Sequence, residues 1–121
     1  MNYGVLYSGN EKKIFLNRVM NTSSSLERMR GLLFRKPLKE NEGLIIQKCS
    51  AIHTIGMQYS IDVIFLSGDF SVRKIFMDVK PYRFCISFGS SMVLEVISGV
   101  VKKNNILENM PLLWEGLNEK N

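Results

Sequence analysis

Histidine occurs once in the 121 residues, at position 53. A zinc site built mainly from imidazoles is therefore excluded, and a mixed one would need Cys49, Cys85 and carboxylates at spacings that match no recognised metal motif. Neither a metal nor another cofactor is expected. Cysteine is almost as scarce, with two. They form no C-x-x-C pair, which fits two reduced, half-buried packing thiols better than a disulfide framework. Long apolar runs are missing as well. The longest covers residues 63–66, against roughly 20 residues for a membrane-spanning helix, and residues 1–25 hold no stretch of signal-peptide length. A soluble, cytoplasmic protein is expected. No glycine-rich phosphate loop of either standard spacing occurs, and only three prolines interrupt the chain.

Hydrophobic residues make up 45% of the chain and charged residues 22%, enough apolar surface to close one core, so residues 1–121 are expected to form a single domain. Net charge is +5, and all of it lies in the first half. Residues 1–60 carry nine Lys and Arg against four Asp and Glu, whereas residues 61–121 carry seven of each. Five of the basic groups fall within residues 28–39, with no acid among them. Such a balance admits an anionic partner without naming one.

Alternation over Tyr3, Val5 and Tyr7, then Ile14-Phe15-Leu16 after the turn-like Ser8-Gly9-Asn10, predicts an opening hairpin. Ser24 and Glu27 have capping-box spacing, and Leu26, Met29 and Leu33 recur at helical intervals, so a short helix is expected over 24–31. Residues 43–46 are apolar but too few for a helix and predict a buried strand. Residues 61–66 and 71–77 flank a Gly-Asp turn and predict a second hairpin. Residues 92–97 predict another strand, followed by one helical turn capped by Ser98 and stopped at Asn104-Asn105. The apolar tail over 110–114 predicts a last strand. Short strands at this spacing with one or two short helices indicate a mostly β fold with some α+β character, a β-sandwich or barrel.

Three polar groupings could carry chemistry. Cys49, His53 and Asp62 name the parts of a nucleophile, base and orienting group; the alternative is that Cys49 fills the core while His53 and Thr54 satisfy local backbone groups. Asp62 and Glu95 each sit inside an apolar strand, where an ionised carboxylate needs a partner. Arg28, Arg30 and Arg35 are the obvious ones, either as structural pairs or as the guanidiniums of an anion pocket beside His53. Nucleic acid is not an expected partner, because the basic run over 28–39 offers only Phe34 as a stacking surface.

The succession Arg30-Gly31-Leu32-Leu33-Phe34-Arg35, Gly43-Leu44-Ile45-Ile46, Ile52-His53-Thr54-Ile55-Gly56-Met57 and Ile61-Asp62-Val63-Ile64-Phe65, followed by Pro81, Leu94-Glu95-Val96 and Ser98-Gly99, resembles the DUF192 family, also called UPF0127. The resemblance covers about residues 26–110 and is greatest to the branch with His-Thr, where other members have Trp-Met-Lys-Asn-Thr. It implies a compact, jelly-roll-like, mostly β domain and no settled activity. A Gly-Asp usual after the short helix is replaced here by Asn109-Met110.

Together these readings predict that Arg30, Arg35, His53, Thr54, Asp62 and Glu95 converge on one side and bind a small anionic ligand or a partner segment. The alternatives are a small hydrolase-like enzyme using His53 with Asp62 or Cys49, and a structural accessory protein. Lys36 and Lys39 are expected to be plain surface charge.

Overall fold

Nine strands and one short helix carry the fold of the residues that the computed structural model describes, 2–22 and 37–117. In chain order they are β1 (Asn2–Ser8), β2 (Ile14–Thr22), β3 (Glu42–Gln47), β4 (Ala51–His53), β5 (Ile61–Leu66), β6 (Val72–Val79), β7 (Phe84–Ile86), β8 (Met92–Ile97), α1 (Val100–Asn104) and β9 (Leu112–Gly116). The helix expected over 24–31 lies outside the described residues, as do Arg28, Arg30, Arg35 and Lys36.

Seven strands form one sheet in the order β6-β5-β8-β3-β2-β1-β9, and β4 pairs with β7 in a second, two-stranded sheet. Both expected hairpins are present, β1 against β2 and β5 against β6. The single parallel ladder joins β2 to β3. A parallel neighbour requires a long crossover rather than a tight turn, and the chain between Thr22 and Glu42 supplies that length. The architecture is mostly β with one described helix, as the strand spacing predicts. The large sheet does not close into a barrel. Its edge strands are stitched only at one corner, where Ser71 bridges Pro111 and the Val72 and Leu112 amides donate to the carbonyls of Met110 and Phe70 at 2.9 and 3.1 Å.

Both faces of the central strands are covered, which is why β3, β5 and β8 read as apolar runs rather than as alternating ones, broken only by Asp62 in β5 and Glu95 in β8. On one face Ile45, Ile64, Leu66, Leu94 and Val96 pack with Val100, Val101 and Ile106 of the α1 region. On the other, Leu44, Ile46, Val63, Phe65 and Val93 pack with Ile52 and Cys85 of the two-stranded sheet and with Met57. Each such side chain contributes about 1.5–3 kcal/mol by leaving water. The small sheet is thus a plate laid over one side of the large one, fixed by its inward residues.

At the far side of the large sheet, Trp114 lies across two glycines. A β-carbon on Gly4 would fall on its indole and on the Glu115 carbonyl, and one on Gly116 would also meet the ring. The glycines leave the space that the ring fills, and the indole N–H donates to the Val19 carbonyl at 3.3 Å.

Helix α1 departs from expectation at its start. Ser98 does not cap it; its hydroxyl donates to Asp78 Oδ1 at 2.8 Å, and the N-cap position is Gly99 at φ 101°. The capping oxygen comes from Asp62, whose Oδ2 accepts the amides of Gly99 and Val101 at 3.1 and 3.0 Å. The helix ends where predicted, at Asn105 in the left-handed region. No helix among the described residues is long and apolar enough to cross a membrane.

Candidate functional site

Strand register distributes the predicted polar residues over the molecule. Asp62 stands opposite Val96, and Glu95 opposite Val63. Residues directly opposite share a face, so Asp62 lies on the α1 side and Glu95 on the side of the small sheet. The two carboxylates are therefore on opposite faces of the large sheet, which corrects the expectation that they converge. Asp62 is buried and commits both oxygens to backbone: besides the two amides of α1, Oδ1 accepts the Asp78 amide at 2.8 Å. Three N–H donors satisfy an ionised carboxylate in an apolar setting. Glu95 is fully buried and is not without a partner. Cys85 is buried and Cys49 half-buried, its thiol donating to the Ala51 carbonyl at 3.2 Å; both are thiols. Among the described residues no three His, Cys, Asp or Glu side chains gather as metal ligands would.

His53 and Thr54 do come together with something, namely the turn that leads into β7. Thr54 is fully buried. Its hydroxyl donates to the Lys80 carbonyl at 2.7 Å and accepts the Arg83 amide at 2.8 Å. Its own amide donates to the Arg83 carbonyl at 2.9 Å, and its carbonyl accepts the Tyr82 amide at 3.2 Å. This clamp holds Tyr82 at φ 66°, a left-handed conformation that costs a non-glycine residue roughly 1–2 kcal/mol. Strain of this kind persists only where the surroundings over-determine it. His53 pairs across the ladder with Phe84, their rings meeting edge-on at 6.1 Å, and its Nδ1 accepts the Ile55 amide at 3.2 Å.

The turn and β7 present an unusual surface. Cys85 points into the core while its neighbours Phe84 and Ile86 point out, and Tyr82 and Phe88 flank them. Tyr82, Phe84 and Phe88 are 68%, 76% and 81% exposed. Residues 48–57 and 79–91, which build this plate and its flanks, carry Lys48, Lys80 and Arg83 and no Asp or Glu. Arg73 reaches over from β6 to donate to the Phe88 carbonyl at 3.3 Å. The carboxylate closest in sequence, Asp78, is already ion-paired with Lys80 at 3.0 Å. The hydrogen bond from Lys80, that from Ser98 and the Lys80 charge together hold its pKa below the ordinary carboxylate range. Reading the sequence for basic residues alone singles out 28–39 and misses this face. The signal that finds it is the interleaving Lys80-Pro81-Tyr82-Arg83-Phe84.

Two clefts among the described residues lie near α1. One of about 320 Å³ is lined by Phe15, Glu40, Asn41, Lys103 and Asn104. Its lysine is taken up by Glu40 at 2.7 Å, and this pairing lowers the Glu40 pKa.

The family model DUF192, described as Uncharacterized ACR, matches residues 7–114. No curated protein matches the sequence. Two solved structures share the fold. One, from Sinorhizobium meliloti 1021 and provisionally named a transcription regulator, superposes with a TM-score of 0.76 at 20% identity, over 95% of this chain and 92% of that chain. The other, a protein of unknown function from Novosphingobium aromaticivorans DSM 12444, gives 0.72 at 22% identity, over 93% and 84%.

Proposed function

The chain belongs to the DUF192 family, and we propose that it acts as a binding module whose contact surface is the outer face of β4 and β7, taking an anionic partner. The observation that carries this reading is the exposed row Tyr82, Phe84, Ile86 and Phe88, in a chain segment (79–91) that with residues 48–57 carries Lys48, Lys80 and Arg83 and no Asp or Glu, and with Arg73 bonded to the Phe88 carbonyl. Exposed apolar clusters with polar surroundings mark interaction sites rather than ordinary surface. The family motif serves that face directly: Thr54 clamps the turn that presents it, and His53 braces Phe84.

The hydrolase-like alternative has less support. His53 faces outward on the small sheet, while Asp62 lies on the other side of the large sheet with three backbone donors on its oxygens. A general base must reach the proton that it removes, and Asp62 is buried with both of its oxygens bonded to backbone amides. Two thiols suit a reducing compartment, which supports a cytoplasmic location.

The test is an amide chemical-shift titration of isotope-labelled protein with two polyanion probes, a short oligothymidylate and a synthetic peptide alternating glutamate with leucine. Shifts confined to residues 51–55 and 80–88 with either probe are the expected result. Shifts centred on another face, or none with both probes at low salt, overturn the reading.

A further inference from the structure

We infer that the anionic partner of this face is single-stranded nucleic acid, an inference that rests on the binding-module reading above. Non-sequence-specific recognition of a single strand needs two things, aromatic rings on which bases stack and cations that follow the phosphates. The β7 face supplies both within one short segment. Tyr82, Phe84 and Phe88 stand largely clear of the surface, and Lys80 and Arg83 alternate with the first two in sequence.

Strand β7 holds Phe84 on its outer face, and Tyr82 and Phe88 lie in the turns just before and just after it, so exposed rings are offered at the strand and at both of its ends. A duplex keeps its bases stacked inside and cannot use such a row. No carboxylate occurs over 48–57 and 79–91 to repel a phosphate backbone; Lys80 is ion-paired with Asp78 at 3.0 Å, which leaves Arg83 and Arg73, the latter bonded to the Phe88 carbonyl, as the cations for the phosphates. The sequence expectation against nucleic acid rests on residues 28–39, where Phe34 is the only aromatic. On this face the stacking surface and the cations coincide.

A protein segment is the competing occupant. It would have to match the cations with its own carboxylates and the rings with apolar side chains, which is the composition of the peptide probe.

The inference is tested by fluorescence anisotropy of a labelled oligothymidylate with the full chain, at salt concentrations from 20 to 200 mM, with a duplex of equal length in parallel. Expected are tighter binding of the single strand than of the duplex and an affinity that falls steeply with salt. Phe84→Ala and Phe88→Ala should each weaken binding about tenfold, with unchanged melting curves, since both rings are exposed. Phe84→Trp should retain binding, and its emission should be quenched on addition of the oligonucleotide. Binding that ignores both alanine variants, or that prefers the duplex, overturns the inference. Failure of the oligonucleotide while the acidic peptide shifts the same amides overturns it too but leaves the binding module standing; failure of both probes removes the module as well.

Discussion

Thr54 and Arg83, 29 positions apart, hold each other from both sides: the Arg83 amide donates to the Thr54 hydroxyl at 2.8 Å, and the Thr54 amide donates to the Arg83 carbonyl at 2.9 Å. A threonine hydroxyl in the core would be a liability without such partners. Here it replaces a ladder that β4 is too short to extend.

Thr54→Val keeps the shape and removes the hydroxyl. It leaves the Lys80 carbonyl and the Arg83 amide without their partner, so a loss of about 1–3 kcal/mol in unfolding free energy is expected. Thr54→Ser restores the hydroxyl and should recover most of that loss. Denaturant titration of the three proteins checks this. A valine variant as stable as the parent would mean that the clamp contributes nothing.

Asp62→Asn should destabilise by about 2–3 kcal/mol. An amide has one acceptor oxygen, so at least one of the three N–H groups loses its acceptor and the remaining bonds lose their charge. Hydrogen exchange gives the specific readout: the Val101 or the Asp78 amide should exchange faster than its neighbours. A variant that folds with parental stability and protection would return Asp62 to the list of reactive groups.

Gly4→Ala should displace Trp114, because the added carbon meets both the indole and backbone. Overpacking of this kind costs about 1–3 kcal/mol. Trp114 is the only tryptophan, so the shift of its emission maximum reports the displacement directly. An unshifted spectrum with parental stability would show that the ring has room to move aside.

Acid should remove a small part of the stability through the surface pairs. The pKa values of Asp78, Glu40 and Asp69 are lowered in the folded chain, the first two chiefly by hydrogen bonds from Lys80 and Lys103 and the third by one from Ser67. A carboxyl depressed by folding stabilises above its unfolded pKa of about 4, and that contribution disappears as the pH falls through the folded value. The melting temperature of the parent should exceed that of Asp78→Asn at pH 7 in low salt, and the gap should close by about pH 2. The gap is small, because the pair is exposed and screened. A gap that persists at low pH would trace the effect to packing instead.

Most of the β scaffold was legible in the residues, because hairpins, buried runs and the last strand each carry a local signature. What escaped is physically distinct. Strand β7 is only three residues long and presents Phe84 and Ile86 to water, so it carries no alternation of apolar and polar residues by which the sequence could announce it. The cap of α1 arrives from Asp62, 39 positions before Val101 in sequence, and no local motif announces a partner at that distance. The separation of Asp62 from Glu95 follows from strand register, which the two isolated sequences do not specify. Thr54 was visible as part of a motif, yet its task of holding the 80–83 turn was not.

The ladder between β1 and β9 has a consequence for how the molecule comes to be. Gly4 pairs with Gly116, and the Leu117 amide donates to the Tyr3 carbonyl at 2.8 Å. Until β9 exists, β1 is an open edge, and vectorial synthesis makes that strand wait for almost the whole described chain. Closing so long a loop is the slow kind of step, so refolding on the millisecond-to-second scale is expected from the order of the strands.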